Sequence, residues 1–213
     1  VAARPVNRIF ASARIDLRLA LRCARLGAHE SVFGLAMTFP DVVIVGMLAS
    51  LGPIYVAAFR ALEVVSGATF VVPTPLQSAT QTVIGQRLGA ADVPGAEVFF
   101  RRARRFATLV TSVFALLCAA GAWPLAFAFT LNARVASVAA LPLALHIASL
   151  PLKAYAMVSL APIRAAGDTR FSMLVGILTV ALAVPIAYVC SVHLRLGLWS
   201  VPIGWIVAWS ARA

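Results

Sequence analysis

Acidic residues are scarce in this chain of 213 residues, which carries seven Asp and Glu against eighteen Lys and Arg for a formal net charge of +11. Charge of either sign is scarce as well, at 12% of residues, about half of what a soluble domain carries. Cysteine is sparse. Cys23, Cys118 and Cys190 lie too far apart for redox or metal spacing, and read as small apolar residues in a reducing or lipid setting. There is no phosphate-binding loop, no cluster of metal ligands and no nucleophile motif. Gly85-Gln86-Arg87-Leu88-Gly89 lacks the Lys-Ser/Thr ending of such a loop and does not follow a strand. These absences leave an ATP-driven machine or a membrane enzyme without support, and no cofactor is expected. No secretory signal is visible, because the basic opening segment is longer than any n-region. The chain begins at Val1 rather than Met and stops at Ala213, barely past its last apolar run, so part of a longer chain is expected.

What is abundant is hydrophobicity: 62% of residues are apolar and the mean hydropathy is +0.96. The apolar residues fall into six blocks, most long enough at ~20 residues to cross the ~30 Å hydrocarbon core as helices. A soluble bundle would keep a polar face on each helix. The fold class is therefore an all-α integral membrane protein with six transmembrane helices. Spans are expected over about 31–51, 54–84, 106–123, 135–163, 171–192 and 198–213, together forming a lobe over 29–213. Pro73 and Pro75 must break or kink the second, and Pro142 and Pro151 fall in the fourth. Residues 1–28 are basic and amphipathic, with Arg14, Arg18, Arg22 and Arg25 on one helical face and Phe10, Ala13, Leu17, Leu21 and Ala24 on another. They read as a cytoplasmic connector, either lying on an anionic membrane surface or solvated between two membrane halves.

The most polar interruption is a basic elbow from Val83 to Arg105, containing Arg87, Arg101, Arg102, Arg104 and Arg105. Its glycines are expected to supply a turn. A smaller elbow runs from Arg164 to Arg170. With alternating spans, fourteen of the eighteen cations fall on one side and Arg134 and Arg195 on the other. That bias puts both ends and both elbows in the cytoplasm of a multi-pass cytoplasmic-membrane protein, and explains the positive charge without a nucleic-acid partner.

Four ionisable residues lie at membrane depth: Asp41, Arg60, Glu63 and Lys153. A charge there costs a few kcal/mol even on the mildest scale, so it faces a partner or a watery cavity. Arg60 and Glu63 are three residues apart and can pair, either structurally near the outer interface or as part of a pathway. Asp41 follows Pro40 and has no nearby cation in sequence; its functional reading is a pathway carboxylate for a proton or a cationic substrate. Lys153 either stretches its stem to the cytoplasmic interface or faces a cavity. His146 reads as a packing residue with one hydrogen bond, and Gln77, Thr80 and Gln81 as a ladder bonding neighbouring helices.

Several motifs then combine. Leu51-Gly52 is followed by Val56-Ala57-Ala58 and by Pro73. Val83-Ile84-Gly85-Gln86-Arg87-Leu88-Gly89-Ala90 comes with Asp92 and Ala96, and Arg164-Ala165-Ala166-Gly167-Asp168-Thr169-Arg170-Phe171 follows further on. In these the chain resembles the C-terminal half of a multidrug and toxic compound extrusion (MATE) transporter. Gly85, Gln86 and Gly89 correspond to the loop after the family's eighth span, and Arg164, Gly167 and Asp168 to the loop after its tenth. The resemblance implies a twelve-helix protein of two six-helix lobes, with the N-terminal lobe as this chain's missing partner. It implies export of cationic or amphipathic compounds in exchange for protons or sodium, by rocking around a midplane site.

Two carboxylates of many family members fall, through the same resemblance, on Met37 and Lys153. A thioether and an ammonium cannot hold sodium, which needs hard oxygen ligands, so proton coupling is expected. It would rest on Asp41, with Lys153 as its partner, or more simply on the other lobe. The alternatives are a lipid-linked saccharide flippase of the same superfamily, or a non-transporting membrane scaffold.

Overall fold

The computed structural model describes residues 17–213. The proposed amphipathic faces at Phe10, Ala13 and Arg14, and the side chain of Arg22, lie outside the described residues. Among the described residues every regular element is helical. Helix α1 (Leu17–Ala49) runs unbroken past residue 28, so the expected boundary between connector and span is not a break in the backbone. Gly52, at a φ of 128°, turns the chain into α2 (Pro53–Thr69), whose first helical residue is a proline that needs no backbone donor.

The expected second span is two helices, α2 and α3 (Pro73–Gly89), separated at 70–72 because Pro73 and Pro75 remove two helical donors. The Thr74 amide still donates to the Phe70 carbonyl at 3.1 Å, so the pair continues as one membrane-length unit, Pro53–Gly89. The expected basic elbow needs correction. Gly85, Gln86 and Gly89 are helical, and α4 (Val93–Ala120) already contains Arg101 to Arg105. The turn is three residues long, and its left-handed position is Ala91, at a φ of 59°, not a glycine. Asp92 ends it by accepting from the Gly95 amide at 2.9 Å.

A short α5 (Ala122–Thr130) follows Gly121, and Asn132 caps the next helix. The expected fourth span is three helices: α6 (Ala133–Ala148), α7 (Leu150–Ser159) and α8 (Ala161–Ala165). Pro151 and Pro162 stand just past the breaks and cannot donate backwards. The Lys153 and Arg164 amides reach across to Ser149 and Leu160, keeping the segments in line. Gly167, at a φ of 86°, makes the second turn. Asp168 caps α9 (Thr169–Tyr188), which ends in a π-helical turn, Val189–His193. The region of the expected sixth span is a 3₁₀ turn at Gly197–Trp199 and α10 (Ser200–Arg212), at 13 residues too short by itself to cross a membrane.

Among the described residues, five units are long and apolar enough to cross a membrane, against the six expected. Ala58, Ala107, Ala126, Ala136 and Ala154 are fully buried. An alanine core lets helix backbones approach closely, which suits association where lipid offers no hydrophobic drive. Gly204 brings α10 against the backbone of α9 at Ala183. Leu109, Leu116 and Leu117 on α4 point outward, an apolar exterior of the kind a soluble monomer avoids.

Candidate functional site

Helices α1, α3, α6, α7, α8 and α10 enclose a cavity of about 310 Å³. Phe33, Met37 and Asp41 line it from α1, each four residues after the last and so on one helix face. Gln77, His146 and Lys153 form its buried floor. Trp205, Trp209 and Arg212 close it from α10, and Phe70, Met157 and Arg164 complete the wall.

Lys153 is 2% exposed, so it does not stretch to the interface as one sequence reading allowed. Its Nζ lies 2.7 Å from Nε2 of His146 and donates to the His146 carbonyl at 3.4 Å. It also sits 5.6 Å from the centre of the Phe70 ring, within cation–π range. A protonated amine donating to Nε2 leaves the ring proton on Nδ1, and that atom is buried with no hydrogen-bond partner among the described residues. His146 is thus the acceptor for the deepest cation rather than a lone packing residue.

Phe33 is a second organising group. Its ring lies against Gly176 of α9, where any Cβ would collide with it. The ring in turn carries Arg164 at 5.1 Å and Arg212 at 5.8 Å from its centre. Arg164 donates to Ser172 at 2.7 Å. Arg212 also stacks on Trp209 at 4.6 Å, and its Nε and Nη1 are buried without a hydrogen-bond partner among the described residues.

Of the residues singled out from sequence, Met37, Asp41, Lys153 and Arg164 come together here. Arg60 and Glu63 do not line the cavity. They form an ion pair at 2.5 Å on the exposed side of α2. Thr80 donates to the Leu76 carbonyl of its own helix at 2.6 Å rather than to a neighbouring helix, and Gln77 lines the cavity. The two motif segments meet: a Cβ at Gly85 would stand 4.0 Å from that of Ala165. α3 lies beside α8 at Gly85, Gly89 ends α3, and Gly167 and Asp168 make the second turn. Gln86 accepts the Ala90 amide through its carbonyl at 3.0 Å.

Sequence reasoning missed Arg212, Trp205 and Trp209. Arg212 counted as one more cytoplasmic cation, although the 4- and 3-residue spacing of the three places them on one helical face.

Among the described residues, an all-helical lobe with interrupted membrane helices folds around a largely apolar cavity that carries a few converging charged groups, the architecture of a transporter-type membrane domain. The MatE family model matches residues 31–189, and the chain belongs to the MatE family. Similar solved structures include the Vibrio cholerae MATE transporter VcmN in its bent form, with a TM-score of 0.83 at 18% identity over 92% of this chain and 44% of that one. A MATE transporter in a bent conformation gives a TM-score of 0.84 at 20% identity over 94% and 45%. A MOP superfamily transporter from Pyrococcus furiosus, described by the reverse polarity of its binding pocket, gives 0.83 at 16% over 90% and 42%. The chain has the fold of one lobe of these proteins and spans less than half their length.

Proposed function

We propose that this chain is the C-terminal lobe of a secondary active transporter of the cytoplasmic membrane, which exports amphipathic organic compounds in exchange for protons. The observation that carries the reading is the cavity itself: a carboxylate, Asp41, among aromatic walls and buried polar groups, in a lobe of MatE fold. A second six-helix lobe would supply the facing wall, and rocking of the two would expose the cleft to each side in turn. Protons are favoured over sodium because Asp41 is the single carboxylate among the described lining residues, and sodium needs several hard oxygens. The cation bias of the turns supports cytoplasmic chain ends. Cationic drugs were the first expectation for cargo, and Asp41 is the group that would meet them.

The second reading, a flippase for a lipid-linked saccharide, is favoured by Lys153, Arg164 and Arg212 in the same cavity, which suit a pyrophosphate. The reverse polarity described for the Pyrococcus furiosus relative makes such variation within the fold concrete.

The test is proton flux in inside-out vesicles carrying the full-length protein. Addition of a transported compound should release protons, and Asp41→Asn should weaken that release. Unaltered coupling in the variant would move the proton site to the other lobe, and no compound-dependent flux from the unmodified protein would sink the antiport reading.

A further inference from the structure

The cavity holds more positive charge than proton exchange requires. Among the described residues, three cations line it against one carboxylate, and neither Lys153 nor Arg212 has a carboxylate partner there. The hydrogen bonds of Lys153 go to an imidazole nitrogen and a backbone carbonyl. Arg212 lies over the rings of both Trp209 and Phe33, yet its Nε and Nη1 are buried with no acceptor among the described residues. A buried donor left unsatisfied is expensive, and more so on a charged group. A pre-oriented guanidinium fork matches the paired oxygens of an acidic group. Around these donors stand the flat faces of Phe33, Phe70, Trp205 and Trp209.

We propose that this cavity binds an organic anion: a carboxylate, sulfonate or phosphate attached to an apolar, preferably planar, body. Arg212 takes the acidic group in its N–H fork, with Lys153 supplying the second charge from the floor. The aromatic walls cover the apolar part. The cavity volume of about 310 Å³ suits one compact fused-ring body with its acidic group. A cationic ligand of the same shape would reach Asp41 only within the field of two uncompensated cations. The inference names the cargo class for the transport proposed above and rests on that reading for its physiological meaning, but the binding itself needs no gradient.

The test is therefore equilibrium binding to the full-length protein in nanodiscs of phosphatidylcholine, without an ion gradient. Radiolabelled naphthalene-2-sulfonate is compared with 2-naphthyltrimethylammonium, which has the same ring and the opposite charge. The sulfonate should bind more tightly by about tenfold or more, and Arg212→Gln and Lys153→Met should each weaken it about tenfold. Arg212→Lys should keep part of the preference, and Arg101→Gln, on the outer face of α4, should change nothing. Gel filtration of each variant identifies any that misfolds; the other then carries the comparison. Adding phosphatidylglycerol separates two sources of the same chemistry: displacement of the probe assigns the acidic group to a lipid, and no displacement to a soluble anion. Either result upholds the site. Equal or tighter binding of the ammonium compound, or full sulfonate affinity in the folded Arg212 and Lys153 variants, overturns it while leaving the vesicle test of transport untouched.

Discussion

Lys153 and His146 are joined by a 2.7 Å contact across the break at Ser149, seven residues apart in the chain. The ammonium is buried, and its acceptor is a ring that gives it no compensating charge. The two partners should therefore respond differently to removal. His146→Leu leaves the cation in place without its acceptor and should cost about 1–3 kcal/mol. Lys153→Met removes the cation and fills a similar volume with an apolar chain, so stability should hold or rise. Thermal unfolding of the purified protein in one detergent reads both, and a His146→Leu melt at or above that of Lys153→Met would refute the assignment.

Phe33 can lie on α9 only because residue 176 has no side chain. Gly176→Ala should push the ring away and destabilise the α1–α9 contact by about 1–3 kcal/mol. Adding Phe33→Leu to that background should recover part of the loss, since the smaller side chain can move aside. A melt unchanged by Gly176→Ala would show that the ring is not held as described.

Asp92 and Asp168 each close the turn before a helix by accepting a first-turn amide, at 2.9 Å from Gly95 and 3.0 Å from Phe171. Replacing either with alanine should cost about 1 kcal/mol. The additional Arg87–Asp92 pair, roughly half exposed, should add little. Hydrogen exchange by mass spectrometry should show faster exchange in the first turn of α4 for Asp92→Ala and of α9 for Asp168→Ala. Unaltered protection there would remove the caps from the account.

Arg60 and Glu63 offer a contrast, because their pair is exposed on α2. A double-mutant cycle should give a coupling below about 1 kcal/mol that fades with added salt. Neither residue lines the cavity, but both charges act on Asp41 through space, so Arg60→Gln and Glu63→Gln should each alter proton flux, and less than Asp41→Asn does. A large loss of flux would return both to the pathway.

Much of this arrangement is written in the chain. Apolar blocks of membrane length and their prolines gave the spans and the places where they break. The spacing of Phe33, Met37 and Asp41, and again of Trp205, Trp209 and Arg212, carries the two long walls of the cavity. The Lys153–His146 contact was not legible, because residues seven apart share a helix face yet stand about 10 Å apart along its axis. The lysine stem closes that gap here across the break at Ser149. The basic elbow misled for a different reason. Charge at a membrane surface looks the same whether the backbone is a loop or a helix projecting from the bilayer. Arg104 shows the helical answer, stacking on Phe100 at 5.0 Å and on Tyr155 of α7 at 4.6 Å. Arg212 was hidden by the same ambiguity at the other end of the chain.

The contact between Gly85 and Ala165 has a mechanical consequence. It lies between the two short, carboxylate-capped turns, where α3 and α8 pack side by side, so a shift of one turn is felt at the other. That corner behaves as a stiff bracket. The compliant points are the interruptions at 70–72, Ser149 and Leu160, where rods of helix meet through reduced hydrogen bonding. Phe70, His146 and Lys153 stand beside two of those joints. In a lobe built this way, two of the joints that lack helical donors stand at the floor of the cavity.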